Sequence, residues 1–470
     1  MTDKILLLIG MLAFQVNILM SQDILYLDST NLTKYELVTG LTIPWEITWG
    51  PDDFIWATER PGTVVRIEPS TGNFTQVLDI RFRVVNEDEV GFGSEYGMLG
   101  MTFHPDFENT PKVYIAYTWG PPIIVRLSSF DWDGEALVNE EILLNNIEGA
   151  TYHNGSRLVI SPDEKIMMTT GDASNPILSQ DTFGLNGKVL RLNLDGSIPD
   201  DNPFPDSYVY SIGHRNSQGM VYSPDGILYS SEHGNLNSDE LNIIEPNQNY
   251  GWPFVEGVCN TGVEITYCND LNLVEPLTEW SPCIAVNGID FYDHDAIPEW
   301  KGKILMAVLG GAGFIRKPSV TVISLSDDGL SYAGEEKFFE NFGRIRDLCI
   351  NPYTGSIYFA TNGNVYPGSG PNQIIEYRND ASVSIEPELD ISQDFKIVPN
   401  PAKDLISLNV TQELIGSKYT VISYDGSIVK EGLIESLEHQ LNVTELSIGN
   451  YYIVTDNAIG KLTRTFSVIR

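Results

Sequence analysis

Short apolar runs recur along the chain at wide, nearly even intervals. Six of them follow turns built from Pro, Asp, Gly and similar residues: Phe54-Ile-Trp-Ala-Thr, Val113-Tyr-Ile-Ala-Tyr, Ile166-Met-Met-Thr-Thr, Ile227-Leu-Tyr-Ser-Ser, Ile304-Leu-Met-Ala-Val and Ile357-Tyr-Phe-Ala-Thr. Their starts lie 59, 53, 61, 77 and 53 residues apart. After most of them a Gly-containing turn leads to a second run, such as Val64-Val-Arg-Ile or Val189-Leu-Arg-Leu. Before each lies another, such as Leu99-Gly-Met-Thr-Phe, Gly219-Met-Val-Tyr or Asp347-Leu-Cys-Ile. Runs this short, bounded by turn residues, predict strands. A strand unit of about sixty residues used six times predicts four-stranded blades, hence an all-β, six-bladed β-propeller. One such sheet cannot bury both faces alone. Radial stacking buries them and leaves a central funnel. The 77-residue interval contains the loop with Cys259 and Cys268, and predicts an insertion at one rim.

Beyond Tyr377 the pattern changes. Residues 379–391 are polar and acidic and read as a linker. Alternating strands then predict a small β-sandwich over 392–470. At the other end, an apolar run over 5–20 is broken by Gln15 and Asn17, which suits a cleavable signal peptide over 1–22 better than a membrane span. No later segment is apolar for long enough to cross a bilayer, so no transmembrane segment is expected.

Charge narrows the partners. Lys and Arg number 28 against 64 Asp and Glu, a formal net charge of -36. Nucleic acid and anionic membranes need a cationic footprint, so neither is an expected partner. Export permits disulfides. Cys259 and Cys268 are close enough for a local bridge, and Cys349, inside an apolar run, reads as a buried thiol; with Cys283, four cysteines leave three full pairings open.

Four clusters offer chemistry. His153 is followed 19 residues later by Asp172. The turn at 161–164 joins two antiparallel strands and brings the start of one beside the end of the other. A carboxylate at one ring nitrogen fixes the tautomer and leaves the other as a base. Arg215 and Asn216 precede a strand at the funnel rim. Arg344 and Arg346, two apart, face one side of a strand, and suit an anionic ligand or a neighbouring carboxylate such as Asp347. The loop from Ser231 to Asn242, with Asn249-Tyr-Gly-Trp-Pro after it, offers carbonyl and carboxylate oxygens of the kind calcium prefers.

Taken in order, Tyr96-Gly-Met-Leu-Gly-Met-Thr-Phe-His-Pro-Asp-Phe, His153-Asn-Gly-Ser-Arg-Leu, Gly187-Lys-Val-Leu-Arg-Leu-Asn-Leu-Asp-Gly, Gly213-His-Arg-Asn-x-Gln-Gly, Asp239-Glu-Leu-Asn and Arg344-Ile-Arg-Asp resemble the glucose/sorbosone dehydrogenase family over residues 36–378. These are soluble, pyrroloquinoline-quinone (PQQ)-dependent aldose dehydrogenases. The resemblance implies His153 as the base, Asp172 as its orienting partner and Arg215 as the group that stabilises charge on the quinone oxygen. It implies cofactor contacts from Glu95, Asn216, Arg344 and Arg346, a substrate contact from Trp280, and calcium held by carbonyls of Gly234 and Asn235. Asp239, Glu240 and Tyr250 would serve a second calcium. An aldose substrate and an external electron acceptor follow. Some members place a Lys over the cofactor where this chain has Gly310; Arg316 or Lys317 could substitute. The tail, with Val398-Pro-Asn-Pro and Leu446-Ser-Ile-Gly-Asn-Tyr-Tyr, resembles the C-terminal sorting domain of type IX secretion, which implies export to the surface or medium by that machinery. Two other functions stay open: a sugar-binding or adhesive propeller, and a calcium-dependent lactonase. The lactonase needs several side-chain metal ligands converging on the axis, whereas this sequence presents arginines and a His–Asp pair.

Overall fold

The computed structural model describes residues 23–85, 94–310, 317–364, 370, 372–383, 396–410, 414–423, 427–457 and 460–469. The expected signal peptide, Arg316 and residues 384–391 of the expected linker lie outside the described residues. The chain divides into two compact units, Met1–Val383 and Ser384–Arg470.

Among the described residues the first unit contains six antiparallel sheets. The first runs through Pro44–Trp49, Ile55–Glu59, Thr63–Ile67 and Phe74–Asp79. The second runs through Met98–Phe103, Lys112–Trp119, Ile124–Trp132 and Leu137–Glu148, and the third through Leu158–Ile160, Ile166–Thr170, Lys188–Leu192 and Val209–Ile212. Sheet four takes Ser217–Tyr222, Leu228–Glu232, Asp239–Ile243 and Thr278–Trp280; sheet five takes Val286–Tyr292, Lys303–Val308, Ser319–Leu325 and Tyr332–Phe338. The sixth begins Ile345–Ile350, Ile357–Thr361, Gln373–Arg378 and is completed by the N-terminal strands Asn31–Thr39 and Ile24–Tyr26. Thr33 pairs with Arg378 and Thr39 with Gln373. The repeat pattern had three strands for this unit. Its fourth comes from the other end of the chain, and the expected start at residue 36 falls inside that strand.

The first strand of each sheet touches the first strand of the next, from sheet one round to six and back to one. Apolar cores lie between neighbouring sheets. Trp56 packs edge-on to Phe103 and Trp132 between sheets one and two. Trp300, Phe339, Phe359 and Tyr377 fill the space between five and six. Where the inner strands approach one another there is no room for a Cβ. One added to Gly219 would lie 2.3 Å from the Asn287 carbonyl oxygen, and one added to Gly288 would lie 1.6 Å from the Asp347 carboxylate.

Antiparallel pairing puts the start of every inner strand beside the end of the second strand. Ser217 faces Glu232, Pro44 faces Glu59, and Ile345 faces Thr361. The inner strands of sheets one, two, four, five and six also slip register within their first few residues. Such bulges bend the strand and re-aim its side chains. All the chemistry described below comes from this end.

The long interval before sheet five carries an exposed helix, Gly262–Leu271, started by a Thr261/Glu264 capping box. Cys259 and Cys268 are disulfide-bonded across its start, with Cα atoms 6.5 Å apart. Cys349 is a buried thiol and Cys283 a half-buried one. Among the described residues no helix is long and apolar enough to cross a membrane.

The second unit holds a three-stranded sheet (Lys396–Val398, Leu405–Asn409, Glu438–Asn442) and a four-stranded one (Ile428–Leu433, Lys418–Ser423, Gly449–Asn457, Gly460–Val468). They share a core that includes Ile406, Leu408, Val421, Ile453 and Phe466.

Each unit thus has its own core. A chain ending at Val383 should keep the main unfolding midpoint of the full chain in calorimetry. Removing residues 23–40 instead strips the edge of Gln373–Arg378, and that protein should lose cooperative unfolding and aggregate.

Candidate functional site

His153 lies in the loop leading to the inner strand of sheet three, with a left-handed backbone at φ 62°. A side chain held there needs surroundings that impose the conformation. The Glu95 carboxylate does so by accepting the His153 amide at 2.9 Å. The ring Nδ1 lies 2.7 Å from Asp172 Oδ1. Asp172 follows the second strand of the same sheet, and its side chain is fully buried. It also accepts the Ser174 amide at 2.7 Å and the Trp252 indole N–H at 2.8 Å. An ionised carboxylate only accepts, so Nδ1 carries the proton and Nε2 is left with a lone pair. The imidazole keeps 19% of its side-chain surface open.

Arg215 and Asn216 arrive from the turn before sheet four. The Arg215 guanidinium donates to the His233 carbonyl at 3.1 Å and stands 5.3 Å from the Trp252 ring. Asn216 donates to Glu95 at 3.1 Å and accepts the Gly155 amide at 3.1 Å. Gln218, two residues on, donates to Asn216 at 3.3 Å and accepts from Arg346 at 2.9 Å. The structure therefore brings His153, Asp172, Glu95, Arg215, Asn216 and Arg346 into one linked cluster. Arg344 stands just ahead of the strand that carries Arg346, half-buried, its backbone paired with Gly363 and Asn362.

The cluster is short of negative charge. Burial and then Arg60 push the Arg346 guanidinium down, with Arg157 and Arg344 adding to the effect. A guanidinium stays protonated in a protein, so an anion beside it would be favoured. The buried Nε–H groups of both Arg215 and Arg346 find no acceptor. Burial works to raise Glu95, but His233, the His153 amide and ring, and Arg346 together hold it below the usual carboxylate range. Beneath the cluster, Arg157 bonds Asp347 at 3.0 Å, Glu46 at 2.5 Å and the Gln218 carbonyl at 2.8 Å. Burial pushes Glu46 up to about 8.

Other expected residues go elsewhere. Trp280 sits on the outermost strand of sheet four, buried in the apolar core, with its indole donating to Glu335 at 2.7 Å. Its side chain is committed to packing between sheets, not to the His153 cluster. The aromatic ring that does meet the cluster is Trp252. Asp239 is not open as a metal ligand: its carboxylate accepts the amides of Gly234 at 2.9 Å, Ile284 at 2.7 Å and Ala285 at 2.6 Å. The Tyr250 hydroxyl is likewise engaged, donating to the Ile243 carbonyl and accepting the Glu245 amide, while its ring stacks on His214. Lys317 pairs with Glu340 at 3.2 Å and is exposed. Among the described residues no three acidic, His or Cys side chains are arranged as a metal cage. Glu232, Glu240 and Glu256 do line one cavity with Arg215, Gly234 and Trp252. The amides of Asn235 and Gly257 point to Glu256 and Glu240. Trp252 and Gln218 carry no sequence signal of their own beyond membership in the Asn-Tyr-Gly-Trp-Pro and Gly-His-Arg-Asn-x-Gln-Gly motifs.

Residues 41–366 match the glucose/sorbosone dehydrogenase family. The chain belongs to this family. Two relatives within it are quinoprotein glucose dehydrogenase B of Acinetobacter calcoaceticus and aldose sugar dehydrogenase YliI of Escherichia coli. The first is 36% identical over 262 residues, 49% of this chain and 54% of that protein. The second is 27% identical over 348 residues, 68% of this chain and 87% of that protein. The PQQ-bound aldose sugar dehydrogenase of Streptomyces coelicolor is similar in structure, with a TM-score of 0.63 and 28% identity over 74% of this chain and 98% of that one. The sheets of the first unit are therefore those of a glucose/sorbosone dehydrogenase-type β-propeller. Residues 396–469 match the secretion system C-terminal sorting domain.

Glu240 gives this dehydrogenase-family site a test by pH. Burial, then Glu232, push its carboxyl up to about 8. A carboxyl raised in the folded state adds stability below its ordinary value of 4.5 and loses it as pH climbs through about 8. With a chelator present, Glu240→Gln should therefore raise the unfolding midpoint by a few degrees at pH about 9 and much less at pH about 5. Thermal melts across that range check it.

Proposed function

We propose that this chain is a quinoprotein oxidoreductase that oxidises the anomeric hydroxyl of aldoses to lactones. The observation that carries this reading is a His–Asp pair beside two buried arginines whose Nε–H groups lack acceptors. PQQ, when bound, supplies a quinone that accepts the hydride from the sugar. Its carboxylates match the deficit of negative charge, and Asn216, Arg344 and Arg346 would hold it. His153 Nε2 takes the proton of the anomeric hydroxyl, and Asp172 holds the ring in the tautomer this requires. Arg215 turns its guanidinium toward the reacting centre and stabilises the negative charge that develops there. Glu95 fixes the base through its backbone amide. Calcium would relieve the crowding of Glu240 by Glu232, with Glu256 and the carbonyls of Gly234 and Asn235 as further oxygens.

The scaffold in this reading is a six-bladed propeller over residues 24–378, closed by the N-terminal strands. The tail is a β-sandwich sorting domain joined by a linker. It would be recognised by the type IX secretion machinery after a signal peptide over 1–22 has directed the first export step, giving a secreted or surface protein. An external acceptor takes the electrons onward.

Purified protein reconstituted with PQQ and calcium should reduce a dye with a panel of aldoses, and no turnover with any of them would overturn the reading. His153→Gln should lower kcat by about two to four orders of magnitude and leave PQQ titration unchanged. Arg344→Ala and Arg346→Ala should each weaken PQQ binding by about ten- to a hundredfold, seen in a fluorescence titration.

A further inference from the structure

We propose that Trp252 is a positioning residue that fastens the base, through Asp172, to the arginine on the other side of the site. This rests on the reading of His153 as the base. Asp172 must turn one lone pair of Oδ1 toward His153 Nδ1, and a carboxylate bound only through that oxygen can swing about its Cβ–Cγ bond. The Trp252 indole stops this by donating to the second oxygen, Oδ2, at 2.8 Å. The Ser174 amide shares Oδ1 with the imidazole, whereas the indole donates to Oδ2.

The indole is itself held. The Trp252 amide donates to the Gly213 carbonyl at 3.0 Å, and its carbonyl accepts from Gln180 at 2.7 Å. Gln180 is in turn paired with Asn249, giving and receiving a bond at 3.0 and 2.8 Å. The backbone is thus tied on both sides to the elements that carry Arg215 and the loop after Asp172. The Arg215 guanidinium lies 5.3 Å from the ring, within the range of a cation–π contact. The Arg215 carbonyl accepts the Asp172 amide at 2.9 Å. One side chain therefore touches both the carboxylate that aims the base and the cation that meets the developing charge. It sets their separation, and a small misplacement of groups that act together is costly in rate.

The inference is tested first without cofactor or turnover. The His153 Nδ1–H and Trp252 Nε1–H protons give separate NMR resonances, assigned by their loss in His153→Gln and Trp252→Phe. Trp252→Phe keeps an aromatic side chain and removes the donor. It should shift or broaden the His153 Nδ1–H resonance, and in the reconstituted enzyme lower kcat about tenfold with KM and PQQ affinity unchanged. Reciprocally, Asp172→Asn should move the Trp252 indole resonance. If Trp252→Phe does not fold, the Asp172→Asn spectrum decides alone, and an unmoved indole resonance overturns the inference. A folded Trp252→Phe protein whose His153 resonance and kcat match the wild type overturns it too. If the wild type oxidises no aldose, the proposed function fails while the two resonance shifts still decide the positioning role.

Discussion

The guanidinium of Arg157 is the contact on which the centre of the first unit depends. It stands just ahead of the inner strand of sheet three and bonds Glu46 from sheet one, Asp347 from sheet six and the Gln218 carbonyl from sheet four. Four of six sheets meet at one cation. Burying it costs solvation that only close partners can return, and removing either carboxylate would leave an uncompensated buried charge. Two carboxylates face one guanidinium, and burial raises both acids, Glu46 to about 8. Trp45 packs against this cation and against Arg346, with guanidinium carbons 4.6 and 4.8 Å from its ring. The same aromatic plate thus supports the structural arginine and the one that faces the site.

From that axis the active end is built outward by backbone rules. Inner strands begin where second strands end, and bulges at those beginnings turn side chains toward the centre. Gly219 and Gly288 let neighbouring strands approach more closely than any side chain would permit. The chain concentrates cations here although its net charge is -36. The arginines owe their effect to burial and mutual proximity rather than to overall charge.

Much of this was legible in the sequence because it is local. Three strands per unit show as apolar runs between turns. The outer strands do not: Phe74–Asp79 and Tyr332–Phe338 are largely exposed and carry little apolar alternation. The fourth strand of sheet six pairs across more than three hundred residues, and no periodicity reports that. His153 and Asp172 meet because one turn joins their strands. The indole of Trp252 reaches Asp172 from 80 residues away, a contact made by the ring of sheets and not by any spacing. Asp239 and Tyr250 enter as ligands of a second calcium only through the family resemblance; in the structure the Asp239 carboxylate accepts backbone amides and the Tyr250 hydroxyl donates to the Ile243 carbonyl. Trp280 enters as a substrate contact only through the family resemblance, and its burial between sheets is not legible along the chain.

The sixth sheet has a consequence for how the molecule comes to exist. Its Asn31–Thr39 strand is made early and its Gln373–Arg378 partner last of the strands in the first unit. Neither can find the other until some three hundred and forty intervening residues have been synthesised and stacked. Until they join, the first unit is an open arc with two unsatisfied edges. A chain in that state is exposed to wrong pairing with its neighbours, but it has not yet locked into a shape too wide to be threaded. The seam that closes the ring thereby also delays its completion until the whole first unit has been made.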